Sequence, residues 1–310
     1  MQFNNDAGSQ KDQAKARMPA PLDIKQQALQ AVSHRKNLIV IDHEALPFKQ
    51  LSRSEMCPRT QIIHWLQEIC YDKNNIVVIF SDRHCNYVSS VFDPALMEQE
   101  NFWVAAESGY WLMTNQKQWC ELFKVQDKQW MATIKAIMAT YCDNIDGAFV
   151  DERSCTVMWN YKNAEEEHGS KFANELAQHL KRLIGRHSPI EIEHGNGFIE
   201  VQPKRLNKKT VFKNILKNLK VYSNHQIESC LFIGGELTSD KTFEYITDRI
   251  KRETLQSHDL HANSNVENRP LFAASCKTAI CVLGNRPSSA QYFVEQKDVQ
   301  YLLQEMAFKT

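Results

Sequence analysis

Apolar residues in this chain fall into two patterns: short unbroken runs, and longer stretches in which they recur every three or four positions. Leu38-Ile39-Val40-Ile41, Ile76-Val77-Val78-Ile79-Phe80, Trp103-Val104-Ala105-Ala106, Cys230-Leu231-Phe232-Ile233 and Ala279-Ile280-Cys281-Val282-Leu283 are of the first kind. Runs without polar alternation predict strands covered on both faces, as in a parallel sheet. Between them the stripe Ile62, Ile63, Leu66 and Ile69, opened by Pro58, predicts a helix, and similar patterns predict helices over 23–32, 206–219, 241–252 and 297–306. Strand, helix, strand in this order makes the right-handed crossovers of a doubly wound sheet.

The texture changes between about residues 116 and 202. Residues 147–151 and 155–161 alternate with the period of strands that have one solvated face, and 190–194 and 198–201 are joined by a turn containing Gly195-Asn196-Gly197. Helices are predicted over 129–141 and 164–184. The expected organisation is an α/β core of residues 23–115 and 203–310 with an inserted α/β cap, antiparallel in its sheet, over 116–202. Residues 1–22 are polar and poor in large apolar groups, which predicts a disordered tail, and the His- and Asn-rich stretch 256–269 predicts a surface loop.

Composition narrows the classes of function. The 310 residues hold 37 Lys and Arg against 37 Asp and Glu, so no nucleic-acid footprint follows. No apolar run is long enough to span a bilayer and no secretory leader opens the chain, so a cytoplasmic protein is expected. The nine cysteines are scattered through apolar segments without paired metal-ligand spacing, which predicts reduced thiols rather than disulfides or structural zinc.

The strand runs end in polar residues. Asp42 and Glu44 follow the first, Ser81 the second, Glu107 the third, and Gly234-Gly235-Glu236 the fourth. Ligands of open α/β sheets bind beyond the carboxyl ends of the strands, so two carboxylates two residues apart there suit a nucleophile or metal ligand and a proton donor. Plainer roles fit the same residue types: Asp42 and Ser81 as caps, Lys208 as a solvated first-turn lysine, Glu200 as a solvated strand residue.

Several stretches, in order and at fitting separations, resemble one family. Ala106-Glu107-Ser108-Gly109 looks like its Ala-Glu-His-Gly, and Phe198-Ile199-Glu200-Val201-Gln202-Pro203 like its Ile-Glu-Val-Arg/Lys-Pro. The segment from Leu283 to Phe293 is similar to its Gly-x-Lys-Pro-Ser-x-Ala-x-Tyr-Tyr stretch. The family is the trehalose-6-phosphate phosphatases of the haloacid-dehalogenase superfamily. The resemblance implies an aspartyl-phosphate mechanism, with Asp42 as nucleophile, Glu44 as acid and base, Ser81 and Lys208 on the phosphoryl group, and Mg²⁺ held by Asp42 and Glu236. It also implies sugar contacts from Glu107, Asp151, Arg153, Asn196 and Glu200.

The chain departs from the pattern where the chemistry is hardest. Asp-x-Asp-Gly-Thr reads Asp42-His43-Glu44-Ala45-Leu46, Gly-Asp-Asp reads Gly234-Gly235-Glu236, and Ser-Asp-Glu-Asp reads Thr238-Ser239-Asp240-Lys241. Asp151, Arg153 and Asn196 stand where the family has Glu, Lys and Lys. The catalytic positions are therefore expected to be vestigial, with no cofactor unless the protein is active, when Mg²⁺ would be needed. Three readings stay open: a catalytically impaired regulatory or structural subunit associated with trehalose-6-phosphate synthase or phosphatase subunits, an active Mg²⁺-dependent phosphatase, and a sugar-phosphate sensor that does not hydrolyse its ligand.

Overall fold

A computed structural model describes residues 17–24, 26, 36–48, 58–123, 128–185, 188–195, 197–223, 225–235, 240–259 and 270–309. Most of the predicted tail, most of the predicted 23–32 helix, Asn196, Glu236 and residues 260–269 lie outside the described residues.

The strands are β1 (Ala20–Pro21), β2 (Asn37–Asp42), β3 (Asn75–Phe80), β4 (Phe102–Ala106), β5 (Trp111–Met113), β6 (Trp119–Glu121), β7 (Phe149–Glu152), β8 (Val157–Asn160), β9 (Ile190–Gly195), β10 (Phe198–Pro203), β11 (Ile227–Gly234), β12 (Phe272–Leu283) and β13 (Tyr292–Val294). Among the described residues they form two sheets. The larger runs β1-β13-β12-β11-β2-β3-β4-β5-β6 and the smaller β7-β8-β10-β9. From β1 to β4 every pairing in the larger sheet is parallel, whereas β5 and β6 add antiparallel strands at one edge.

The unbroken apolar runs are buried on both faces, and period-two alternation decides which residue meets which layer. Ile39, Ile41, Val77 and Ile79 cluster with Ile62, Leu66 and Ile69 of α1 (Arg59–Tyr71) and belong to one layer. Two short helices, α2 (Cys85–Val91) and α3 (Pro94–Met97), add Val88 and Leu96 to it. Leu38, Val40, Ile76 and Val78 face the other way. Burying each such side chain fully is worth about 1.5–3 kcal/mol, so the alternation fixes the strands firmly in the sheet.

Across the smaller sheet lie α4 (Gln129–Cys142) and α5 (Glu166–Ile184), whose Met131, Ile134, Met138, Leu176 and Leu180 pack with Val157, Trp159, Ile199 and Val201. The second core layer is completed by α6 (Lys208–Tyr222) and α7 (Asp240–Asp259), through Phe212, Ile215, Leu219, Phe243 and Ile246. The final helix, α8 (Gln296–Ala307), returns to the first layer with Leu302, Leu303 and Met306.

Three details differ from the sequence reading. Residues 17–22, predicted within the tail, hold the sheet edge: β1 pairs with β13, Arg17 bridges Ser288, and Leu22 packs on the core. The strand Trp119–Glu121 follows the expected boundary at 116, yet pairs in the larger sheet. Residues 256–259, predicted as the start of a loop, continue α7.

Candidate active-site cleft

The register of the central strands sets the site. Ile233 pairs with Ile41, and Asp42 with Phe80, so the residues at and just past these strand ends, Gly235, Asp42 and Ser81, fall side by side at the carboxyl edge. Asp42 is only 2% exposed. Its Oδ2 accepts a hydrogen bond from Lys208 Nζ at 2.6 Å and another from the Gly235 N–H at 2.7 Å. Lys208 is the first residue of α6, whose N-cap Asn207 accepts from the Thr210 N–H at 2.9 Å. A cation at a helix N-terminus opposes the helix dipole, and the Asp42 carboxylate beside it offsets that repulsion.

Asp42, Glu44, Ser81, Lys208, Asp151, Arg153 and Glu200 line one cleft of about 490 Å³ between the carboxyl edge and the smaller sheet. Its size is that of a small-molecule site. Ser81 is buried, and its Oγ accepts the Arg83 N–H at 3.1 Å, while the cap of the following α2 is the His84 side chain rather than Ser81. On the opposite wall Arg153 gathers two carboxylates of the smaller sheet, Asp151 at 3.1 Å and Glu200 at 3.7 Å, and Asp82 from just past the end of β3 at 4.0 Å. Burial alone would lower the Arg153 pKa, but Glu200, then Asp82 and Asp151, raise it on balance.

Glu107 does not reach the cleft. It is 1% exposed and accepts from the Ser154 N–H at 2.8 Å and the Ser154 hydroxyl at 3.0 Å, with His84 Nε2 at 3.3 Å. The N–H of Asn86 donates to His84 Nδ1, which leaves Nε2 to donate toward Glu107. Glu107 thus ties the β7–β8 connection to the end of β4. It does so from an unusual backbone, φ +49° at Glu107, +53° at Ser108 and +96° at Gly109. Asn196 and Glu236 lie outside the described residues.

The cleft also contains residues that sequence reasoning missed: Phe149, Met158, Asn160, Glu193, Phe198 and Gln202. Alternation is the signal that would have found them. Phe149 and Asp151 on β7, Met158 and Asn160 on β8, and Phe198, Glu200 and Gln202 on β10 are two apart along their strands and share a face.

Burial raises Glu200 above the ordinary carboxylate range; Arg153 and Thr156 oppose this, and Glu193 and Asp82 add to it. Glu193 is raised by burial and by Glu191, against the opposing effects of its Gln202 hydrogen bond and Lys208. A carboxyl that keeps its proton to higher pH in the native state makes that state the tighter proton binder above the ordinary value of 4.5. The stability Glu200 contributes is complete below that value and is lost as pH rises through its raised folded pKa. As pH rises above 4.5, urea midpoints of the wild type should therefore fall relative to Glu200→Gln. A wild type that gains on the variant as pH rises would reverse the sign.

Among the described residues, which leave out Glu236, the side chains at Asp42 do not make up the oxygen set of a hexacoordinate Mg²⁺. Gly235 brings no side chain to Asp42, and among the described residues no three His, Cys, Asp or Glu side chains converge as a metal site. Asp240 is turned to the loop before β13, where Ser288 Oγ and the Ser289 N–H donate to it at 2.6 and 3.0 Å. Its neighbour Lys241 lines the cleft, with Arg83, Lys208 and Lys209. This composition offers hydrogen bonds and positive charge to an anion.

An open, mostly parallel sheet between two helical layers, carrying an inserted cap sheet over a strand-end aspartate, is the haloacid-dehalogenase-like arrangement. Within that class the chain belongs to the trehalose-phosphatase family, whose model matches residues 48–298. The match begins just after the Asp42–Leu46 stretch. An Arabidopsis thaliana protein named probable alpha,alpha-trehalose-phosphate synthase (UDP-forming) 7 is 24% identical over 275 residues, which is 88% of this chain and 30% of that protein. The chain thus spans under a third of that relative. The C-terminal domain of C. albicans trehalose-6-phosphate phosphatase has the same fold at 18% identity, with a TM-score of 0.71 over 94% of this chain and 98% of that one. The C-terminal domain of the Candida albicans trehalose synthase regulatory protein aligns at 14% identity, with a TM-score of 0.69 over 92% and 99%.

Proposed function

We propose that this chain is a trehalose-phosphatase domain whose hydrolytic machinery is impaired, retained as a structural or regulatory part of trehalose biosynthesis. The observation behind this reading is Gly235. A Cβ there would lie 2.9 Å from Glu44 Oε2 and 3.4 Å from Asp42 Oδ2, so this is the position from which a third carboxylate would converge, and it has none. The longer Glu44 side chain occupies that space instead. Fold similarity does not separate the readings, because a phosphatase domain and a regulatory-protein domain both share this fold. Residue content favours the regulatory one.

The partners this reading implies are trehalose-6-phosphate synthase or phosphatase subunits, in the cytoplasm. Two features accord with it: among the described residues eight cysteines are free thiols, and no helix is long and apolar enough to cross a membrane. Core residues 23–115 and 203–310, with Trp119–Glu121 at the edge of their sheet, would then act mainly as scaffold, and the rest of the 116–202 insertion as the cap. The retained cleft favours a second reading, in which the domain binds a sugar phosphate without cleaving it.

The test is phosphate release from trehalose 6-phosphate, with and without Mg²⁺, against Asp42→Asn. Release by the wild type should be no greater than by the variant. Mg²⁺-dependent turnover that Asp42→Asn abolishes would instead identify an active phosphatase.

A further inference from the structure

The chain passes from the core sheet into the cap after Phe123 and returns to the core through Leu206. A cap joined only by its chain crossings can swing about them as a hinge. In this structure a further attachment lies beside those crossings. It is the connection between β7 and β8, Arg153 to Thr156, which belongs to the cap and is built into the core.

Glu107 is the centre of the attachment. Its buried carboxylate accepts the N–H and the hydroxyl of Ser154 at 2.8 and 3.0 Å, and the Ser154 hydroxyl in turn accepts from Trp111 Nε1 at 3.0 Å. The core side of this grip is fixed as well. The Glu107 N–H donates to the Arg83 carbonyl and the Ser108 N–H to the Ser81 carbonyl, each at 3.0 Å, so the turn that carries Glu107 is bonded to the end of β3. His84 Nε2 holds the same carboxylate at 3.3 Å.

Apolar packing continues one residue further. Cys155, fully buried, clusters with Tyr110 and Leu206, against which Trp111 and Phe123 pack. Lys128, the N-cap of α4, donates to the Tyr110 hydroxyl at 3.2 Å. Both chain crossings and the β7–β8 connection therefore meet around one tyrosine of the core, and on the cleft side Arg153 reaches Asp82 at 4.0 Å. A swing of the cap would strip two donors from a buried carboxylate and part an apolar cluster in the same movement, a cost that a bare hinge does not carry.

We infer that Glu107 and Ser154 brace the cap against the core, so that the two move as one body and the cleft stands assembled before any ligand arrives. The same grip fixes Arg153, next to Ser154, among Asp82, Asp151 and Glu200. The inference concerns motion rather than chemistry, goes beyond the proposed function, and holds whether or not the cleft hydrolyses what it binds.

The test is hydrogen exchange of the full chain, read at the Ser154 amide and at the amides of β8, a central strand of the cap sheet. In the wild type the Ser154 amide should exchange within about tenfold of β8. Glu107→Gln, which keeps the volume and removes the charge, should speed Ser154 exchange about a hundredfold while β8 stays within about threefold. Ser154→Ala, a milder change that keeps the N–H and loses only the hydroxyl, should speed it about tenfold. A wild-type Ser154 amide that exchanges like an exposed loop while β8 is protected overturns the brace, because the connection would then be free of the core. Ser154 exchange that neither variant alters overturns it too, because its protection would then come from something other than the grip.

Discussion

Replacing Gly235 with aspartate should make the thermal stability of this domain depend on Mg²⁺. The new carboxylate would start from a Cβ 3.4 Å from Asp42 Oδ2 and 2.9 Å from Glu44 Oε2, the flexible end of a side chain that can give way. Without metal, three carboxylates at one strand edge repel, and Gly235→Asp should melt below the wild type in EDTA. With Mg²⁺ at about 100 times its Kd, binding to the folded state alone returns about 2.7 kcal/mol, a rise of a few degrees in Tm for a chain of this size. Adding Lys241→Asp removes a cation from the same cleft and should enlarge the response. Thermal melts in EDTA and in Mg²⁺ decide it. A wild-type Tm that rises as much as the variant's would mean that the native residues already hold the metal.

Gly109→Ala should cost about 3–5 kcal/mol, from strain at a left-handed backbone position together with overpacking of a filled core. Gly109 has φ +96°, and a Cβ there would collide with the buried Val211 side chain of α6. Glu107 and Ser108 just before it are already left-handed, so the turn has little freedom to relax. Domains are stable by only about 5–15 kcal/mol, so such a loss leaves the protein near unfolding. In urea denaturation, Gly109→Ala combined with Val211→Ala should recover only the packing part of the loss. A cost under about 1 kcal/mol for Gly109→Ala would show that the close approach to α6 is looser than the structure has it.

What was legible in the sequence follows from how far each signal reaches. The buried strands announced themselves because both faces must be apolar, and the positions of Asp42, Ser81 and Gly235 followed from where those runs stop. Strands β1 and β6 were not legible: two or three residues are too few for any period to show, and their pairing is decided by distant strands. Glu107 was placed beside the right strand but given the wrong outlook, since three successive positive-φ residues turn its carboxyl toward Ser154. Nothing in the composition of Ala-Glu-Ser-Gly reveals that turn. Phe149, Asn160 and Phe198 were within reach, because they lie two residues from Asp151, Met158 and Glu200 on the same strands. Their signal is alternation along the strand rather than charge.

The two-residue strand β1 has a consequence for how this domain can associate. Leu22 donates its N–H inward to the Phe293 carbonyl at 3.3 Å, so alternation turns the backbone nitrogen of Pro21 outward. Proline has no hydrogen to offer there, and an edge without a donor is a poor template for a further strand. The opposite edge, β6, is three residues long and ends in Glu121. Among the described residues neither margin of the larger sheet favours strand addition, the route by which sheets fuse into larger assemblies or aggregate. A subunit that bound this domain would then meet its helical faces or its cap, whose own sheet has edges at β7 and β9, rather than the margins of the larger sheet.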